Sequence, residues 1–190
     1  MIERYFILSK IIVFTGPMKC GKTKTLIDIY NYIKISKNSN ILVIKPKIDN
    51  RYSTNEVVSR NGNKVQCYNV EYLKDIIEKF NLNVINDILI DEYQFIKGNI
   101  KDLLKIKSYD VNVYVFGLDK TSELKPFKMV TDAIKVSNIV VRLKGVCDIC
   151  GKNLSEYTYY EGNKTEDILV GDDNYFGVCR KCYKKLKKVH

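Results

Sequence analysis

Three groups of residues carry chemistry in their types and spacing. The first is FTGPMKCGKT at residues 14–23, which fits G-x-x-x-x-G-K-[ST] from Gly16 through Pro17, Met18, Lys19, Cys20 and Gly21 to Lys22 and Thr23. Glycines permit the dihedrals that turn successive backbone N–H groups inward around a polyphosphate. The lysine then neutralises the β- and γ-phosphates, and the threonine hydroxyl binds Mg²⁺. The second group is ILIDEYQF at residues 88–95. An apolar run ending on a carboxylate is the pattern of a strand that delivers Asp91 to the magnesium shell, opposite the phosphate loop. Glu92, next in the chain, has two readings: a general base that takes a proton from an attacking hydroxyl, or a residue that caps the strand or pairs with a lysine. The third group is CDIC at 147–150 and CRKC at 179–182. Two such pairs can set Cys147, Cys150, Cys179 and Cys182 around one Zn²⁺, and four protein ligands leave no open position, so the expected site is structural. A redox pair is the competing reading. Cys20 and Cys67 stand apart and read as small buried apolar residues.

The acceptor for a phosphoryl group stays open at this point between water and a small hydroxyl, since adjacent Asp-Glu pairs also serve DNA-dependent ATPases. No N-K-x-D guanine motif is present. The formal net charge of +10 raises a nucleic-acid partner, because clustered Lys and Arg attract polyphosphates. Most lysines are scattered, however, and the dense group from Arg180 to Lys188 reads as a charged tail. The basicity suits substrates that carry phosphates, and nucleic acid is not expected as a partner.

These groups need elements to hold them. Strand-like runs recur at 11–14, 41–44, 65–68, 87–90, 111–116 and 139–143, with helical patterns at 25–36, 71–80, 99–107 and 126–136. Alternating strands and helices predict an α/β fold of the P-loop NTPase type, a mostly parallel sheet covered on both faces, because parallel strands require long crossovers. The polar stretch 46–63 reads as a loop with little regular structure. Near residues 143–145 the alternation stops. The expected division is an ATP-binding domain at 1–143 and a zinc-binding domain with a basic tail at 144–190. The apolar run at 5–14 is too short to span a bilayer and lacks a small-residue cleavage site, so a cytoplasmic protein is expected.

With its motifs in order, the chain resembles the small tetrameric thymidine kinases of the type II class, from FTGPMKCGKT to CRKCY. GPMKCGKT is similar to G-P-M-F-S-G-K-[ST], KPKIDNRY to K-P-x-x-D-x-R-Y, and IDEYQF to I-D-E-[AG]-Q-F. GLDKTSELKPF is similar to G-L-D-x-x-F-x-x-x-P-F, and the cysteine pairs flank ILVGDDNY as they flank I-x-V-G-G-x-x-x-Y. The resemblance implies transfer of the γ-phosphate of ATP to the 5′-hydroxyl of thymidine or deoxyuridine, in pyrimidine deoxynucleotide salvage. It implies that residues 16–23, Asp49, Arg51, Asp91 and Gln94 hold ATP, with Mg²⁺ at Thr23 and Asp91 and with Glu92 as the proton acceptor. Met18, Leu118, Ser122, Phe127, Ile168, Leu169, Val170 and Tyr175 would face the nucleoside, the span between the knuckles forming a lasso over it. A homotetramer inhibited by the deoxythymidine triphosphate is also implied. The alternatives are a zinc-ribbon nucleic-acid-binding ATPase and a diverged nucleoside-binding module without transfer.

The sequence departs from the family pattern at several positions. Ser122 replaces an aromatic whose packing on the base would contribute about 0.5–1.5 kcal/mol. Lys19 stands where Phe is usual, Cys20 where Ser is usual, Tyr93 where a small residue is usual, and Thr158 falls one residue late.

Overall fold

The computed structural model describes residues 9–37, 39–49, 55–162 and 174–188. Its strands alternate between two apolar cores, as a period of two requires when both faces of a sheet are covered. In β1 (Ile11–Thr15), Ile11 and Val13 enter one core and Phe14 the other. After α1 (Lys22–Lys37), β2 (Ile41–Pro46) divides Leu42 and Ile44 from Val43 in the same way. The short strands β3 (Glu56–Val58), β4 (Lys64–Gln66) and β5 (Tyr68–Val70) precede α2 (Lys74–Lys79). In β6 (Asp87–Ile90), Ile88 and Ile90 oppose Leu89. Then α3 (Ile100–Lys107) leads to β7 (Asn112–Gly117), where Val113 and Val115 oppose Tyr114 and Phe116, and α4 (Lys128–Val136) to β8 (Ile139–Arg142).

The strands form one six-stranded sheet in the order β5-β2-β6-β7-β1-β8, with every pairing parallel. Ile76 of α2, Leu103 and Ile106 of α3, and Val130 and Ala133 of α4 cover one face. Leu26, Ile27 and Ile33 of α1 cover the other, where Phe14 stacks on Phe116 at 4.6 Å between ring centroids. The α/β expectation therefore holds. The segment that follows is a second, smaller unit of structure: β9 (Tyr157–Tyr160) pairs antiparallel with β10 (Tyr175–Val178), and α5 (Arg180–Leu186) closes it.

Three local expectations are corrected. The run 65–68 is two strands rather than one, because Cys67 separates β4 from β5. The stretch 46–63 contains β3, which pairs with β4 so that Val57 faces Val65 and both are buried against α1's side of the sheet. The basic C-terminal cluster is no simple tail. Residues 180–186 are helical, Tyr183 donates to the Ser122 carbonyl at 2.7 Å, and Lys187 holds Glu123 at 2.8 Å. Among the described residues no helix is long and apolar enough to cross a membrane.

Candidate active site

Parallel sheets gather their sites beyond the carboxyl ends of the strands, and this one brings two such ends together. The loop after β1 turns back at Gly16, with φ 155°, and at Gly21, with φ 88°. A Cβ on Gly16 would overlap the Leu143 carbonyl oxygen and lie 2.8 Å from the Cys20 sulfur. Lys19 also takes a left-handed conformation, φ 62°. The Lys22 ammonium rests on its own loop, donating to the Pro17 carbonyl at 2.8 Å and the Gly16 carbonyl at 3.2 Å. It is thus a cation held inside a ring of backbone.

Asp91 follows β6, with β7 lying between β6 and β1. Thr23 reaches it across that gap, its hydroxyl donating to Asp91 Oδ2 at 3.3 Å, while Asp91 Oδ1 accepts from the Glu92 N–H at 3.0 Å. Burial, then the nearby Glu92 and Asp49 carboxylates, push Asp91 up to about 7. Charge of that density calls for a cation, and an oxygen-only donor pair of carboxylate and hydroxyl suits Mg²⁺. Glu92 is buried and left-handed, at φ 45° and ψ 42°. Asp49 and Glu92 line the same pocket as residues 18–24.

Gln94 is held between Glu92 and Leu118. It does not line that pocket; its side-chain amide donates to Glu92 Oε2 at 2.5 Å and accepts from the Leu118 N–H at 3.0 Å. Two further features belong to this pocket. Lys45, at the end of β2, is buried and donates to the Glu56 carbonyl at 3.3 Å. The β3–β4 hairpin supplies an outer wall through Val57, Val58, Ser59 and Arg60. Lys45 opens the KPKIDNRY match, which gave it no assigned role.

The core on the α2, α3 and α4 side of the sheet reaches the phosphate loop at Met18. Met18, Leu118 and Phe127 are buried members of that core, and Tyr175 packs against it. Phe127 meets Phe95 edge-to-face at 6.3 Å. Ser122 is buried, and its carbonyl anchors Tyr183.

The four paired cysteines converge, their sulfurs all within 4.8 Å of one another and those of Cys150 and Cys179 4.0 Å apart. A tetrahedral Zn–S site of 2.3 Å bonds has edges of roughly 3.8 Å, so four thiolates here fit a metal ion of that kind. The N–H groups of Lys152 and Asn153 aim at Cys150 and bring its thiol down to about 6, and the Cys182 N–H lowers Cys179. Burial and the neighbouring sulfurs push Cys182 up to about 12. Packed thiolates repel one another unless a cation sits among them.

This cysteine unit is docked on the phosphate loop. The Met18 N–H donates to the Thr158 hydroxyl at 3.0 Å, and both are buried. A Cβ on Gly177 would lie 2.5 Å from the Met18 carbonyl, and one on Gly145 2.9 Å from that of Lys19. The Lys19 ammonium sits 4.7 Å from the Phe176 ring centroid.

The thymidine kinase family model matches residues 9–183. The chain belongs to the thymidine kinase family. It is 36% identical over 175 residues to a thymidine kinase of Mycoplasma mobile, spanning 90% of this chain and 85% of that one. It is 31% identical to a thymidine kinase of Pseudothermotoga lettingae, spanning 93% and 96%, and 34% identical to one of Mycoplasma capricolum, spanning 93% and 89%. Several departures from the family pattern now have a place in the fold. Tyr93, where the family has a small residue, is 1% exposed and fills the core beneath the site. Thr158 is the acceptor for the phosphate loop, and Lys19 is the cation over Phe176. Arg51, Ile168, Leu169 and Val170 lie outside the described residues.

Proposed function

We propose that the protein transfers the γ-phosphoryl group of ATP to the 5′-hydroxyl of thymidine, or of deoxyuridine, in pyrimidine deoxynucleotide salvage. The observation that carries this reading is the meeting of Thr23 with Asp91 at 3.3 Å, with Glu92 on the same pocket, in a chain of this family. ATP lies along Gly16, Pro17, Met18, Lys19, Cys20, Gly21, Lys22 and Thr23, with Asp49 and Arg51 beside its phosphates. Lys22 exchanges loop carbonyls for the β- and γ-phosphates. Thr23 and Asp91 would hold Mg²⁺, which supplies charge neutralisation between those phosphates. Met18, Leu118, Ser122, Phe127, Ile168, Leu169, Val170 and Tyr175 face the nucleoside.

Glu92 accepts the 5′-hydroxyl proton as that oxygen bonds to the γ-phosphorus and the bond to the β-phosphate oxygen breaks, leaving ADP and the monophosphate. Positioning and charge stabilisation supply the rate. Cys147, Cys150, Cys179 and Cys182 hold a structural Zn²⁺. Residues 1–143 form the ATP-binding domain and residues 144–190 the zinc-binding unit. A cytoplasmic homotetramer, inhibited by deoxythymidine triphosphate in the nucleoside site, completes the reading by resemblance.

The test incubates the protein with Mg-ATP and a nucleoside panel, with and without DNA. Thymidylate formation independent of DNA is expected. ATP hydrolysis that rises only with DNA would sink the kinase reading and support a nucleic-acid ATPase.

A further inference from the structure

Gln94 occupies a position that constrains both ends of its side chain. A backbone N–H can only donate, so the Leu118 N–H at 3.0 Å fixes the oxygen end of the amide, and the nitrogen end is left facing Glu92 Oε2 at 2.5 Å. Gln94 is 8% exposed and Glu92 9%, so this pair is largely shielded from water. The space for it is made by Gly117, where an added Cβ would come within 2.9 Å of the Gln94 oxygen and 2.8 Å of Val130 Cγ2. Glu92 itself stands in a left-handed backbone conformation at the mouth of a 3-10 turn, Tyr93–Phe95, that carries Gln94. Backbone, turn and amide thus all act on one carboxylate.

We propose that Gln94 is a positioning residue that holds Glu92 in the orientation needed to take the hydroxyl proton, and that it references this orientation to the backbone of Leu118 just after β7. The proposal rests on the reading of Glu92 as the base. A donated hydrogen bond fixes which carboxylate oxygen points into the site, and the Leu118 amide ties that setting to the end of β7. Gly117 is part of the device, because only a residue without a side chain admits the amide.

The experiment is a double-mutant cycle on steady-state thymidine phosphorylation using Gln94→Met, Glu92→Gln and both together. Gln94→Met preserves volume and removes both hydrogen bonds. It should lower kcat by about 10- to 100-fold, the scale on which losing the hydrogen-bond partner of a metal ligand lowers activity, while KM for ATP stays within about two-fold. In the Glu92→Gln background the same change should alter kcat by less than about two-fold, because a residue that acts only through Glu92 has nothing left to position. Equal fractional losses in both backgrounds would overturn the proposal and leave the base reading standing. Near-normal turnover of Glu92→Gln alone would overturn the base reading and the proposal with it. Gly117→Ala, which displaces the amide without touching its chemistry, should reproduce the Gln94→Met loss and be non-additive with it. Normal turnover in Gly117→Ala, at unchanged thermal midpoint, would also overturn the proposal.

Discussion

Gly16 has no room for a side chain, and this single fact ties the phosphate loop to the strand at the sheet's edge. Its φ of 155° disfavours any residue with a Cβ, and the Leu143 carbonyl occupies the space that the Cβ would take. Gly16→Ala should abolish measurable binding of an ATP analogue in calorimetry and destabilise the fold by about 1–3 kcal/mol, the usual scale of backbone strain. Retained binding would show that the loop can relax away from Leu143. The need for glycine here was legible in the motif, and the identity of the obstructing atom was not. Lys19 illustrates the same limit. The motif marked it as a variable position, but its ammonium over Phe176 depends on a residue 157 positions further on.

At the scale of elements, helices were legible as helical runs, whereas their caps were not. Asn99 caps α3, accepting from the Lys101 N–H at 2.8 Å, and Asp102 reciprocates by accepting from the Asn99 N–H at 3.0 Å. Asn99→Ala should cost about 1 kcal/mol, which lowers the thermal midpoint by about 2–4 °C in a domain of this size. An unchanged midpoint would mean that packing of Leu103 and Ile106 alone holds the helix. Short strands were harder to see. The hairpin β3–β4 has three residues per strand, too few for an alternation to stand out, and Val57 and Val65 hold it by burial in the core on α1's side of the sheet. The same reason hid α5, whose seven residues look like a charged run until Tyr183 and Lys187 meet the loop at Ser122 and Glu123.

At the scale of the whole molecule, the cysteine unit and the phosphate loop form one construction. Thr158, Gly177 and Phe176 press on Met18 and Lys19, so whatever orders β9 and β10 also orders the loop that cradles phosphates. Removing the metal by chelation, or through Cys147→Ser, should lower metal content measured by mass spectrometry and weaken ATP-analogue binding even in the absence of nucleoside. Unchanged metal content in Cys147→Ser would refute the ligand set. Metal loss with undiminished ATP affinity would show that the hairpin stays seated without it. Thr158→Val separates the contributions, since it deletes the Met18 acceptor and leaves all four cysteines in place.

By itself the sequence determined what depends on neighbours in the chain: the glycine-framed phosphate loop, the apolar strand ending on Asp91, the paired cysteines, and the alternation that makes a parallel sheet. Each is a local pattern whose physical cause lies within a few residues. Tertiary structure alone decided what depends on distant partners. It put Lys45 in the pocket, set Gln94 between Glu92 and Leu118, and seated Thr158 on Met18. Such contacts join residues far apart in the chain, and no local spacing encodes which donor meets which acceptor once the layers have closed.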